Sequence, residues 1–396
     1  MHSETIYWDP YDADIDNDAH VIWAALRDGA PVYRNDRYDF WALSRFHDVE
    51  AAHRNPTTYS SSHGTLLERM GPDRIGGGMM IFCDPPDHTK LRSLVSRALT
   101  PRRVAALENG VRAMCAELLD PQIGGHGFDY VHSLAAQIPS RVISVLMGVP
   151  PEDQEQQRQY VDQMFHIESG VGMANETSLA GAVGLISYLS DLIAKRSQEP
   201  LDDMASALVQ AEIVDDDGTR RLTPDECTSF AMLLYTAGTE TVAKLLGNAA
   251  VILAQHPDQR RELAEDSNHI PNAVEELLRY EPPSPVNGRW TTAEVRLHDI
   301  TIPKDSKVLL LNGSAGRDER AFPDPNRFDI HRTIPHHLTF GYGIHFCVGA
   351  ALARLEARIA LEETLLRFPE WDVDMQSVER VHTSTVRGFK AVPITF

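Results

Sequence analysis

Apolar positions repeat at helical spacing across the middle of the chain and give way to short alternating runs toward its C-terminal end. Between about Pro101 and Gln210 the pattern is mostly helical, broken at Gly124–Gly125, Pro150–Pro151 and 170–172. Asp215-Asp216-Asp217-Gly218 reads as a turn or short hairpin, too short and polar for an interdomain linker. Thr223-Pro224-Asp225-Glu226 then opens a long helix, with Thr223 as N-cap, Pro224 at the first helical position and Glu226 completing a capping box. The helix should run to about Gln255, ahead of Pro257, and its length marks it as central. A second helix is expected from about Pro271 to Tyr280. Strand-like runs follow at 295–297, 300–302 and 307–311, then an irregular stretch from Asp318 to Ile334. A helix is expected from Val348 to Phe368, and Trp371 to Phe396 reads as short strands. The fold class is mainly α with a small β region. No composition shift marks a boundary, so residues 1–396 are read as a single domain.

Composition narrows the function classes. The hydrophobic fraction is 42%, with no apolar stretch of membrane-spanning length, so no membrane anchor is expected. Residues 1–10 lack the basic and apolar regions of a signal peptide. Cys83, Cys115, Cys227 and Cys347 are scattered and form no C-x-x-C pair, which fits a reducing cytoplasm and argues against a disulfide framework or zinc site. A net charge of −20 argues against nucleic acid and anionic membranes as partners. One segment differs: from His88 to Arg103 the chain carries Lys90, Arg92, Arg97, Arg102 and Arg103 with no acidic residue, which marks a docking or ligand site or an ordinary solvated face.

The densest chemistry lies in Phe340-Gly341-Tyr342-Gly343-Ile344-His345-Phe346-Cys347-Val348-Gly349. Gly341 and Gly343 permit backbone angles that a side chain forbids, and Gly349 lets the chain pass close to something bulky. Cys347 is placed at or just before a helix N-terminus, where free N–H groups and the helix dipole favour a thiolate. A lone Cys is commonly a small buried hydrophobe, but this run matches at every fixed position the heme-binding loop of the cytochrome P-450 heme-thiolate monooxygenases. The resemblance extends from Trp8 to the C-terminus and is closest to soluble actinobacterial members. It implies the cytochrome P-450 fold, heme b (iron protoporphyrin IX) as cofactor and Cys347 as the metal ligand. Phe340, Gly341, His345 and Gly349 fall among the cofactor-binding positions.

Ala237-Gly238-Thr239-Glu240-Thr241 lies in the middle of the long helix. Gly costs roughly 1 kcal/mol relative to Ala there, and two Thr add β-branched crowding. Such a cluster opens a groove for a ligand or serves a tight helix–helix crossing. It resembles the family's acid–alcohol motif. The resemblance implies that Ala237 and Gly238 border the cofactor and that Thr241 and Glu240 support proton delivery during dioxygen activation. Splitting the O–O bond needs protons in a pocket that excludes bulk water, so placed hydroxyls and a carboxylate must supply them.

Glu276-Leu277-Leu278-Arg279 resembles the family's structural E-x-x-R helix, with Arg327 at the place of its third partner. His88, Arg92, Arg289 and His345 match positions that hold the heme propionates, a role suited to cationic donors. By the same resemblance the substrate pocket is lined by Met79, Met80 and Phe82, by Met164, Phe165 and Met173, by Leu233, Leu234 and Ala237, by Pro285, Val286 and Asn287, and by Thr385 and Val386. Their apolar, Met-rich character implies a hydrophobic substrate of moderate to large size. No flavin or nicotinamide motif is present, so the electrons for the reaction of substrate with dioxygen are expected from a ferredoxin and a ferredoxin reductase. The alternatives are a hydrogen-peroxide-driven peroxygenase and a non-catalytic heme ligand-binding protein, both of which fit the retained Glu240 and Thr241 less well.

Overall fold

A computed structural model describes residues 6–76, 78–166, 168, 175–215 and 218–396, with the backbone alone at 97, 98 and 215. Met173 and Gly77 lie outside the described residues.

The long helix forms as its sequence dictates, over Pro224–Gln255. Thr223 accepts from the Glu226 N–H, and the Glu226 carboxylate accepts from the Thr223 N–H. It is buried along much of its length, and its C-terminal half is nearly all core: Leu245, Leu246, Ala249, Ala250 and Leu253 pack against Leu277, Ile359 and Ala360. The helices Gln137–Met147, Ile270–Tyr280 and Ala350–Arg367 surround it. The sequence reading passed over Pro257–Glu265, a short, mostly polar helix with Pro at its first position.

The expected strands appear at Val295–Leu297, Ile300–Ile302 and Lys307–Leu311. Lys307–Leu311 belongs to a five-stranded sheet with Val32–Asn35, Phe40–Leu43, Tyr59–Ser60 and Val286–Thr291, four strands the pattern did not predict. Phe40–Leu43 is continuous apolar sequence, so alternation is missing where both faces are covered. The strands Glu212–Asp215 and Gly218–Arg221 pair as a hairpin calls for, with 216 and 217 outside the described residues; the C-terminal strands form as expected, and 318–338 is irregular.

The helix Glu176–Gln198 is long and apolar enough by length and composition to cross a membrane, although Ser187, Ser190 and Asp191 interrupt its apolar run. One of its faces is core: Leu185, Leu189, Leu192 and Ile193 are buried against Val161 and the long helix.

Candidate active site

The cysteine loop is built by glycine. Gly341 and Gly343 both take left-handed angles, φ +68° and +69°, and a Cβ on Gly343 would stand 2.8 Å from the His53 carbonyl. The loop closes with the Cys347 N–H on the Phe340 carbonyl at 2.8 Å. The helix begins at Ala350 with Gly349 as cap, so Cys347 stands just ahead of it. Its side chain is exposed on the wall of a cavity of about 2400 Å³, enclosed by surrounding protein. The expectation that a helix terminus makes it a thiolate needs correction. Burial raises the thiol pKa, and the Gly349 N–H, Arg92 and Arg354 only oppose that rise. A bound metal cation would supply the missing charge.

Arg92, Arg289 and His345 border this cavity. Burial lowers Arg289 to about 10, with Asp84 acting against it. Burial, then Arg289 and His88, holds His345 near 2. His345 reaches Ser61 Oγ at 3.2 Å, and Asp84 accepts from Ser60 Oγ and the Ser61 N–H at 2.5 and 2.9 Å. His88 is not on the cavity wall. It sits behind His345, ring centroids 4.2 Å apart, buried, with both ring nitrogens unpartnered. His53, which the sequence reading missed, is similarly buried; its Nε2 meets Asn312 Oδ1 at 2.9 Å, and the Asn312 amide donates to Asn287.

The long helix supplies another part of the wall through Leu233, Leu234, Thr236, Ala237, Gly238 and Thr241. Gly238 serves both readings: it borders the cavity, and a Cβ there would press on Ile143 at 3.3 Å. The Thr241 hydroxyl donates to the Ala237 carbonyl at 3.2 Å. Glu240 does not border the cavity; its carboxylate pairs with Lys244 at 3.3 Å, both side chains largely buried. A carboxyl outside the expected set does border it. Glu356, on the helix after Cys347, is buried with Oε2 unpartnered, and burial pushes its pKa up to about 8.

Of the expected substrate-pocket residues, Met79, Met80, Phe82, Met164, Phe165, Leu233, Leu234, Ala237, Val286, Asn287, Thr385 and Val386 all border the cavity, as do Phe340, Gly341 and Gly349. Pro285 instead borders a small neighbouring cleft beside Trp23. The third arginine of the structural cluster is a correction. Arg279 donates to Glu276 at 2.6 and 2.7 Å, but Arg332, not Arg327, completes the group, its Nε 3.1 Å from Glu276 Oε1. The Arg327 side chain is 68% exposed and pairs with Asp329; only its carbonyl faces the cluster. Arg327 stands immediately before Phe328 and Arg332 four residues after it, and only Arg332 follows the buried Ile330 into the seam.

A lone thiol opening onto a large, mainly apolar cavity bordered by the Arg92 and Arg289 guanidinium groups and the His345 imidazole fits a flat metal cofactor that carries carboxylates. That donor set and the helical fold define a heme-thiolate protein. The family model for cytochrome P450 matches residues 40–389. The Mycobacterium tuberculosis protein designated cytochrome P450 123 is 40% identical over 98% of this chain and 96% of its own length. Erythromycin C-12 hydroxylase of Saccharopolyspora erythraea is 37% identical over 96% of this chain and 95% of its own. The structure of CYP109Q5 from Chondromyces apiculatus superposes with a TM-score of 0.89 at 34% identity, covering 99% of this chain and 98% of that one. The chain belongs to the cytochrome P450 family, and its cofactor is heme, iron protoporphyrin IX.

Proposed function

We propose that this protein inserts one atom of dioxygen into an unactivated C–H bond of a hydrophobic substrate, as a hydroxylation or an oxidative dealkylation that follows from it, using electrons from a ferredoxin and its reductase. The observation that carries this reading is that the Thr241 hydroxyl and the Cys347 thiol open onto one mainly apolar cavity. Cys347 would hold the heme iron, and Arg92, Arg289 and His345, with His88 behind, the propionates. Ala237, Gly238, Phe340, Gly341 and Gly349 leave room for the ring. When bound, the heme supplies dioxygen activation and oxygen transfer.

The protein's own residues do the rest. Met79, Met80, Phe82, Leu233, Leu234, Val286 and Val386 exclude water and orient the substrate. Thr241 holds a proton at Oγ1 beside the cavity. Glu240 acts one step behind it, its carboxylate held by Lys244, so a proton from Glu240 reaches the cavity through Thr241 or water. The cavity volume includes space for the heme and still suits a substrate of moderate to large size, as does the similarity to an erythromycin hydroxylase. The setting is cytoplasmic.

Ferredoxin docking rests on Arg102 and Arg103, which are exposed and form no ion pair among the described residues. Arg354 and Arg358, four apart on the helix after Cys347 and so on one face, carry less of it. Arg354 is held by Glu275 at 2.5 and 2.8 Å, and Arg358 by Glu108 and Glu362, each at 2.8 Å. The Arg97 side chain lies outside the described residues. The deciding experiment compares turnover with ferredoxin plus reductase, with hydrogen peroxide, and with neither. Steroids, fatty acids, terpenoids, macrolides and aromatic acids are first screened by the heme spin-state shift. Turnover with peroxide alone would replace this reading with a peroxygenase; binding without turnover would replace it with a ligand-binding protein.

A further inference from the structure

We propose that Glu262, His269 and His331 form a binding site for a divalent transition-metal ion of the zinc class, outside the heme cavity. Glu262 lies on the helix Pro257–Glu265, His269 ends the turn Ser267–His269, and His331 comes from the irregular 318–338 stretch. One donor atom from each lies within 4.8 Å of the others. His331 Nε2 is 2.7 Å, and His269 Nε2 3.8 Å, from the same Glu262 oxygen, Oε1. Asp266 Oδ2 stands 3.6 Å from His269 Nε2 and offers a fourth ligand.

These distances suit an ion. Tetrahedral coordination at about 2.0–2.1 Å spaces neighbouring donor atoms about 3.3–3.4 Å apart, a value the observed 2.7–3.8 Å separations bracket. The side chains are part-exposed and can adjust by the half ångström required. An ordinary ion pair would explain His331 on Glu262; it leaves unexplained why a second imidazole turns the same nitrogen toward the same oxygen. The two rings lie 5.0 Å apart at 82°, so they approach without stacking.

The scaffold is set before any ion arrives. The Ile330 N–H donates to Gln259 at 2.8 Å, and Asn272 donates to the Ile330 and Arg332 carbonyls at 2.5 and 3.2 Å. The His331 N–H donates to Asp329 Oδ1 at 3.0 Å. Asp266 spends Oδ1 on Asn268, which leaves Oδ2 toward His269. Little main-chain ordering is left for binding to supply. Two imidazoles with one or two carboxylates suit Zn²⁺, Ni²⁺ or Cu²⁺ and disfavour Mg²⁺ and Ca²⁺, which take all-oxygen sets. An ion here would fasten the segment leading into the cysteine loop to the helix Pro257–Glu265 and to the turn that opens the helix Ile270–Tyr280, which carries Glu276 and Arg279. Ligands so far apart in sequence form no spacing motif, so the cysteine pattern alone was no guide.

The test is calorimetric titration of Zn²⁺ into the heme-loaded protein, with X-ray absorption at the zinc edge, which the heme iron does not obscure. One Zn²⁺ should bind per chain in a mixed imidazole and carboxylate shell, and Mg²⁺ should give no heat. His269→Ala and His331→Ala should each weaken binding at least about tenfold, and Glu262→Gln should do likewise. Zn²⁺ should raise the melting temperature of the parent protein and not that of the double His variant. These variants alter part-exposed side chains, so their heme content without zinc should match the parent's. No zinc binding to the parent, or binding of unchanged affinity in all three variants, would overturn the proposal.

Discussion

The Glu276 cluster offers the sharpest structural test, because the structure ranks three substitutions that sequence spacing does not. Glu276 is fully buried and accepts from Arg279 twice, from the Asp329 N–H at 3.0 Å and from Arg332 at 3.1 Å. Glu276→Gln leaves the fully buried Arg279 guanidinium without its charge partner, at a cost of about 3–5 kcal/mol. Arg332→Ala removes the bond to Glu276 and donors to the Pro323, Asp324 and Arg327 carbonyls at 2.5, 3.0 and 2.7 Å. Those carbonyls partly regain water, so the loss is about 2–3 kcal/mol. Arg327→Ala, on an exposed side chain, should fall within about 0.5 kcal/mol of the parent. A chain of this length unfolding as a unit shifts by roughly 1.2 °C per kcal/mol. The expected falls in melting temperature are therefore about 4–6 °C, about 2–4 °C and under about 1 °C. Thermal unfolding of the heme-loaded protein, followed by heme absorbance and far-ultraviolet circular dichroism, measures all three. A loss in Arg327→Ala as large as in Arg332→Ala would refute the assignment.

Cys347→His should lose the thiolate signature of the reduced carbon monoxide spectrum and abolish oxygenation; an unchanged spectrum would remove Cys347 from its role. Thr241→Ala should keep heme and substrate but divert reducing equivalents into hydrogen peroxide, read as product formed per NAD(P)H consumed; a parent-like ratio would make Thr241 a packing residue. Arg102→Glu with Arg103→Glu should slow the first electron transfer and flatten its salt dependence while substrate affinity holds, and stopped-flow reduction across ionic strengths decides it. His53 has its pKa lowered from 6.5 to about 3 by burial and then by Arg289. Below pH 6.5 the unfolded chain therefore takes up a proton that the folded chain does not. Its contribution is complete above pH 6.5 and falls as pH drops, by about 2 kcal/mol at pH 5; denaturant unfolding of His53→Gln should show a shallower slope over that range.

Legibility in the sequence followed the range of the interactions. The capping box at Thr223 and Glu226 and the glycines at 341 and 343 are local rules, and those elements formed where expected. The strands Phe40–Leu43 and Tyr59–Ser60 were missed because they pair with residues near 310 and 290, and Val32–Asn35 in turn pairs with Phe40–Leu43. The same distance hid His53 and Ser61, which reach the site only through folds of the chain, and it decided between Arg327 and Arg332. Glu240 shows the limit of a motif. Its place in the run is clear, yet the motif is silent on Lys244, four residues on along the same helix, whose pairing turns the carboxylate away from the cavity.

The polar interior separates by whether its hydrogen bonds close within the protein. Glu276 with Arg279 and Arg332, and Arg387 with Glu281 at 2.6 Å, are satisfied internally and hold segments together. Around the cavity the pattern reverses. His88 has two bare ring nitrogens, the imidazole of His345 meets only Ser61, and Arg289 donates from Nη1 only to the Gly288 carbonyl beside it. Each such group costs about 1–3 kcal/mol when left unpaired in the interior. Asp84, the carboxylate that opposes the lowering of Arg289, is spent on Ser60 and the Ser61 N–H. The arrangement is stable when an outside anion closes it, and heme brings two carboxylates. Heme loading should accordingly stabilise the fold well beyond the burial of the ring itself. Replacing Arg289 with Met, which removes the charge but keeps most of the volume, should weaken heme retention more than it weakens the protein freed of heme. Parallel unfolding of both forms measures the difference. An equal loss in the two forms would mean that Arg289 serves the strand Val286–Thr291 and not the cofactor.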